Sequence, residues 1–115
     1  MDSASSIASS GMQAAAQRLN IAAYNIANAT TDMPAADTPA DSTNTFRPLR
    51  ADQTDTPGGG TAVTVRTALP TEAFDGVDFA GEAIQVVAAR YTFAANVAVM
   101  HSAAQMQKVL LDTFA

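Results

Sequence analysis

The sequence predicts a mainly α protein whose long N- and C-terminal helices pack as a coiled-coil-like hairpin, with an irregular middle segment containing a small β-hairpin. Three observations predict it. All five prolines (Pro34, Pro39, Pro48, Pro57 and Pro70) and the Gly58-Gly59-Gly60 run fall between Thr31 and Asp75. Proline removes a backbone donor and breaks helices, so the middle is irregular and the proline-free flanks are not. Both flanks also repeat apolar residues at alternating spacings of four and three. Finally, alanine carries much of the 48% hydrophobic content. Alanine is the best helix former but buries little area, so an alanine-rich helix must approach its partner closely. Residues 1–30 and 76–115 are therefore expected to form one helical domain, with 31–75 as linker and hairpin.

The first helix is read from about Ser3 to Ala29, capped by Ser3 or Asp2 accepting from the first free amides. Ala8, Met12, Ala15, Leu19, Ala22, Ile26 and Ala29 keep the four-three rhythm without a break, a heptad seam. Gly11 beside the seam costs helix propensity, which a close helix contact there would explain.

In the middle, Thr31–Asn44 is poor in large apolar residues and rich in Asp, Thr, Ala and Pro, a composition of extended chain. Thr61-Ala62-Val63-Thr64-Val65-Arg66-Thr67 alternates and is β-branched, a strand signal. With Phe46 and Leu49 upstream and a Thr56-Pro57-Gly58-Gly59-Gly60 turn between the arms, it predicts a hairpin. A lone hairpin is marginal and needs a surface to lean on.

The last helix is read from about Asp78 to Phe114, with Asp75 or Asp78 as cap and Glu82 facing the positive end of the helix dipole. One seam runs Phe79, Ala83, Val86, Arg90, Phe93, Val97, Met100, Ala104, Gln107, Leu111, Phe114. A second runs Ala95, Val99, Ser102, Met106, Val109. Two largely apolar seams exceed what one partner helix covers, and a helix apolar on most sides is buried on most sides. At 1.5 Å per residue this helix is about 55 Å long. One shorter helix cannot hide it, so neighbouring molecules are expected.

Charge and chemistry exclude several function classes. The formal net charge is −5, with six basic residues scattered along the chain. Phosphate neutralisation needs clustered Lys and Arg, so nucleic acid is not an expected partner. There is no cysteine, hence no disulfide or thiolate metal site. No unbroken run of about 18 apolar residues occurs, so no transmembrane segment is expected. The N-terminus lacks the basic start and apolar stretch of a cleaved secretory signal. His101, the sole histidine, reads as surface or interfacial packing. Asp32, Asp37, Asp41, Asp52 and Asp55 lie in proline-rich sequence with no apolar pocket to tune them for acid–base work. Gly58-Gly59-Gly60 lacks the Lys-Ser/Thr of a phosphate loop. No catalytic, cofactor-binding or metal site is read, and the chain is not expected to be an enzyme. Asn25, Asn28 and Asn96, with Arg90, stand within apolar helices. They either cap helix ends and face solvent, or fix register between packed helices as a core Asn does. The methionines Met12, Met100 and Met106 read as seam fillers.

Ser9-Ser10-Gly11-Met12-Gln13-Ala14 followed by Arg18-Leu19-Asn20-Ile21-Ala22-Ala23-Tyr24-Asn25-Ile26-Ala27-Asn28-Ala29-Thr30 forms one motif, and Phe93-Ala94-Ala95-Asn96-Val97-Ala98-Val99-Met100, with Ala104-Gln105-Met106 and Leu110-Leu111, a second. They resemble the N-terminal signature and the C-terminal helix of the flagellar rod and hook (axial) protein family. Tyr24 stands for the first Asn of the usual Asn-Asn pair, and Phe93 for the usual Tyr. The short length and the Phe46-Arg47-Pro48-Leu49-Arg50 stretch before a Gly-rich turn are most similar to the proximal rod members. The resemblance implies a structural subunit in the basal body, its terminal helices assembling helically into a torque-transmitting tube that crosses the periplasm. It implies export through the flagellar type III apparatus without a cleaved signal. The implied partners are copies of itself, other rod and axial proteins, the export apparatus and basal-body components. Seams and resemblance together give an expected assembly interface of Met12, Leu19, Asn25, Ile26, Asn28, Phe93, Asn96, Val97, Met100, Met106, Leu110 and Leu111. The alternative is a soluble helical-hairpin adaptor or regulatory binding module that shares only the heptad patterning.

Overall fold

A proline-free, alanine-rich flank at each end becomes one long helix. The computed structural model describes residues 2–31, 46–69, 72 and 76–114. In it, α1 spans Asp2–Ala27 and α2 spans Phe79–Phe114, separated by strands β1 (Leu49–Asp55) and β2 (Thr61–Thr67). Nearly all of the expected extended stretch, Asp32 to Asn44 with its aspartates Asp32, Asp37 and Asp41, lies outside the described residues, as does the alternative cap Asp75.

Helix ends follow capping chemistry. Ser3, expected as a cap, is already inside α1, whose first residue is Asp2. At the far end the Asn28 side-chain amide donates at 2.8 Å to the Tyr24 carbonyl, which also accepts from the Asn28 backbone amide at 3.2 Å. Asp78 caps α2 as expected, its Oδ1 accepting from the Ala80 amide at 3.1 Å and its carbonyl from the Glu82 amide at 2.9 Å.

The strands pair antiparallel from Leu49↔Thr67 to Asp55↔Thr61, close to where alternation placed them. Gly58, Gly59 and Gly60 all take positive φ in the connecting loop, which a residue with a Cβ rarely adopts. The hairpin leans on α1. Both strands contact that helix, and among the described residues neither is in backbone contact with α2. The Thr61 amide donates to Ser10 Oγ at 3.1 Å, and Arg18 donates to Gln53. The layers therefore run hairpin, α1, α2, with α1 in the middle.

The α1–α2 interface is built from small residues. Ala8, Ala15 and Ala22, one heptad apart, are buried on α1 together with Ala14 and Ile21. Met12, Leu19 and Ile26 are half-buried beside them, so the expected α1 seam forms. The α2 contact line differs from expectation. Its buried residues are Glu82, Ala89 and Ala103, with Asn96 half-buried between them. Of the expected main seam, Val86, Met100 and Gln107 are half-buried, whereas Phe79, Ala83, Arg90, Phe93, Val97, Ala104, Leu111 and Phe114 are exposed. The physical reason is close approach. A Cβ built on Gly11 would lie 2.7 Å from the Asn96 side chain. Helices this near need Ala or Gly at the contact, which turns the larger side chains outward.

Candidate assembly interface

Two contacts fix how the helices slide against each other. Asn25 Nδ2 donates to Glu82 Oε1 at 2.7 Å, and Gly11 meets Asn96. Fourteen positions separate Gly11 from Asn25, and fourteen separate Glu82 from Asn96, so the antiparallel register holds over four turns. Carried on, it sets Asp2 level with Gln105. Met106, Val109, Leu110, Leu111 and Phe114 then extend past the start of α1, and all five are exposed, Phe114 at 87%.

Asn25 is the node of the lower end. It is fully buried, at 0% exposure. Its amide donates to the Leu49 carbonyl at 3.0 Å as well as to Glu82, and its Oδ1 accepts from the Leu49 amide at 2.7 Å. One side chain thus pairs with the edge of β1 as a neighbouring strand would, while holding α2. Arg50 approaches Glu82 at 3.6 Å, which neutralises the carboxylate that burial would otherwise penalise. The register-fixing reading of Asn25 describes half of the arrangement; the hairpin edge is the other half. Asn96 is half-buried, and its amide donates to the Thr92 carbonyl of its own helix at 2.8 Å.

The remaining expected residues divide by layer. Met12, Leu19, Ile26, Asn28 and Met100 are half-buried. Phe93, Val97, Met106, Leu110 and Leu111 are exposed. The second α2 seam, Ala95, Val99, Ser102, Met106 and Val109, is exposed along its whole length. Ile84, Val87 and Tyr91 continue that apolar surface toward the start of α2, Tyr91 at 75% exposure. Four residues that hold the fold together are absent from the expected set: Ser10, Arg18, Arg50 and Gln53. Glu82 does more than face the helix dipole. Its spacing of one heptad from Ala89, Asn96 and Ala103 is the available sign that it faces α1.

A profile of the flagella basal body rod protein family matches residues 6–32. The match supports the flagellar basal body rod family. A search of curated proteins returned no match. The matched stretch covers α1 from its fifth residue and the exit turn, including Gly11, Asn25 and Asn28, so the rod-family sequence lies in the middle layer of this fold. It is a family of structural proteins, and the match supports a structural role in the flagellar basal body. Among the described residues no group of three or more His, Asp or Glu side chains is placed to hold a metal.

One expectation needs correction. Although no unbroken apolar run exists, α2 contains an 18-residue window of mean hydropathy 1.3 and is long and apolar enough to cross a membrane by length and composition. Counting unbroken runs misses it because alanine and scattered polar residues interrupt the run without making the average polar. One face of α2 is occupied by α1, so the apolar surface that remains is the opposite face and the projecting end.

Proposed function

We propose that this chain is a subunit of the flagellar rod that assembles helically through its two terminal helices, acting as one assembly domain, to build the torque-transmitting axial tube. The observation that carries the reading is the uncovered apolar surface of α2. A helix apolar on most sides is stable in water only when those sides are covered, and α1 covers one. Contiguous exposed apolar surface of this kind marks a protein-interaction site. The opposite face of α2 and its projecting end differ from the surface offered by α1 and the hairpin. A contact between unlike surfaces is heterologous, and when its rotation does not close it generates a helical array.

On this reading Phe93, Val97, Met106, Leu110 and Leu111 meet neighbouring subunits. Met12, Leu19, Asn25, Ile26, Asn28, Asn96 and Met100 hold the helix pair that presents them. The partners are further copies and other rod proteins, and the proximal part of the rod is the position that the short middle segment fits. The chain reaches the periplasm through the flagellar export apparatus. The rival reading is a soluble helical-hairpin adaptor, which expects a discrete oligomer.

The test is incorporation of Leu19→Asp and Val97→Asp variants into basal bodies. An unpaired charge in a dry interface costs several kcal/mol. Both variants are expected to be excluded, Val97→Asp while its isolated chain still folds. Unchanged incorporation of both contradicts the packing reading.

A further inference from the structure

The Asn25 node borders a notch that the rod reading leaves unused. It has a volume of about 280 Å³ and is lined by Arg18, Ile21, Leu49, Arg50, Ala51, Glu82 and Gln85. All three layers meet there, α1 giving Arg18 and Ile21, β1 giving Leu49 to Ala51, and α2 giving Glu82 and Gln85. Both guanidinium groups have donors to spare. Arg50 touches Glu82 at 3.6 Å, beyond hydrogen-bond distance, and among the described residues its guanidinium makes no hydrogen bond. Arg18 gives one terminal nitrogen to Gln53. Each guanidinium carries five N–H donors. Glu82, by contrast, already accepts from Asn25.

We infer that this notch receives the carboxylate side chain of an acidic peptide segment on a partner protein. Two arginines against one glutamate leave the lining of the notch at plus one in a chain of net charge −5, with Glu72, which also acts on Arg50 electrostatically, outside that lining. That balance selects among anions. A planar carboxylate of single charge matches the guanidinium fork with two parallel hydrogen bonds. A phosphate dianion would meet Glu82 at close range, and a polyanion such as nucleic acid would be repelled by the rest of the surface. Ile21 and Ala51 supply an apolar seat for the methylene stem of a glutamate. The inference does not depend on the rod reading, because it rests on the notch alone.

The test uses the full chain, labelled with 15N, and two capped octapeptides of alternating glutamate–alanine and glutamine–alanine. The glutamate peptide is expected to shift the Nε–Hε signals of Arg18 and Arg50, and the glutamine peptide to leave them in place. Arg18→Gln is expected to weaken binding at least tenfold while the far-ultraviolet circular dichroism shows the chain still folded. Arg50→Gln, which also loosens Glu82, serves as the second variant and is expected to weaken binding to a similar degree. Equal binding of the two peptides overturns the inference. So does binding of the glutamate peptide that neither variant weakens, or displacement of that peptide by equimolar acetate or inorganic phosphate, which would make the notch a general small-anion site.

Discussion

Asn25 and Glu82 are 57 residues apart in the chain and meet at 2.7 Å with the asparagine fully buried. The same amide group pairs with both backbone atoms of Leu49. One side chain therefore ties the family-matched helix to the hairpin on one side and to the long C-terminal helix on the other. A buried donor or acceptor left without a partner costs about 1–3 kcal/mol, more for a charged group. Asn25→Ala strands the Leu49 amide and carbonyl and removes a donor from Glu82. It is expected to lower stability by about 3 kcal/mol, read from denaturant unfolding of the isolated chain. Asn25→Asp should cost more, since it sets a second carboxylate against Glu82. A loss below about 0.5 kcal/mol for the alanine variant, within the range of ordinary surface changes, would remove the node from the account.

Gly11 gives a test with a sign change. In an open helix, Gly→Ala stabilises by about 1 kcal/mol. Here the added methyl would meet the Asn96 side chain at 2.7 Å and displace it from Thr92, so Gly11→Ala is expected to destabilise by about 1 kcal/mol or more. In an Asn96→Ala background the obstruction is gone and the same change should stabilise. A double-mutant cycle measures both. A stabilising Gly11→Ala in the parent chain would mean the helices are not this close.

The hairpin carries a pH-dependent contact. Arg66 donates to both Glu72 carboxylate oxygens, at 2.7 and 3.1 Å, and the Leu69 amide donates to the same carboxylate at 2.8 Å. The arginine first, and then that amide, hold the Glu72 carboxyl at about 2 instead of its ordinary 4.5. The folded value lies below the unfolded one, so the contribution is fully present above about 4.5 and is lost as pH falls toward 2. Glu72→Gln should therefore be less stable than the parent at neutral pH, the gap closing over that window. The group is exposed, so the effect is small and screened by salt. A gap that does not change between pH 6 and pH 2 would contradict the ion pair.

On the outer face of α2, folding and assembly should separate. Tyr91 touches little in the isolated chain, so Tyr91→Glu is expected to change its stability by no more than about 0.5 kcal/mol. The same variant is expected to be excluded from assembled rods. Normal incorporation, scored by immunoblotting purified basal bodies, would show that this face stays in water.

Much of the fold is legible because punctuation and period are local properties. Proline-free flanks, capping residues and apolar period together mark the helix limits to within about two residues, the glycine run marks the hairpin loop, and the α1 seam of Ala8, Ala15 and Ala22 lies where its rhythm puts it. The α2 seam is the part that large apolar residues misplace. Tracking them leads through Phe79, Val97 and Leu111, whereas α1 packs on Glu82, Ala89, Asn96 and Ala103. When two helices approach at alanine distance, the smallest residues mark the contact and the largest ones mark what is left for others. The roles of Arg18, Arg50 and Ser10 are not legible at all. They depend on how the hairpin lies across α1, which no local pattern encodes.

The most direct measurement is electron cryomicroscopy of isolated basal bodies from the source cell. Density for this chain is expected in the rod, with α1 and α2 paired along the axis, Asn25 against Glu82, and the outer face of α2 covered by neighbouring subunits. Absence from the rod, together with a discrete and well-ordered helical oligomer of the purified protein, would contradict the rod reading and favour the adaptor.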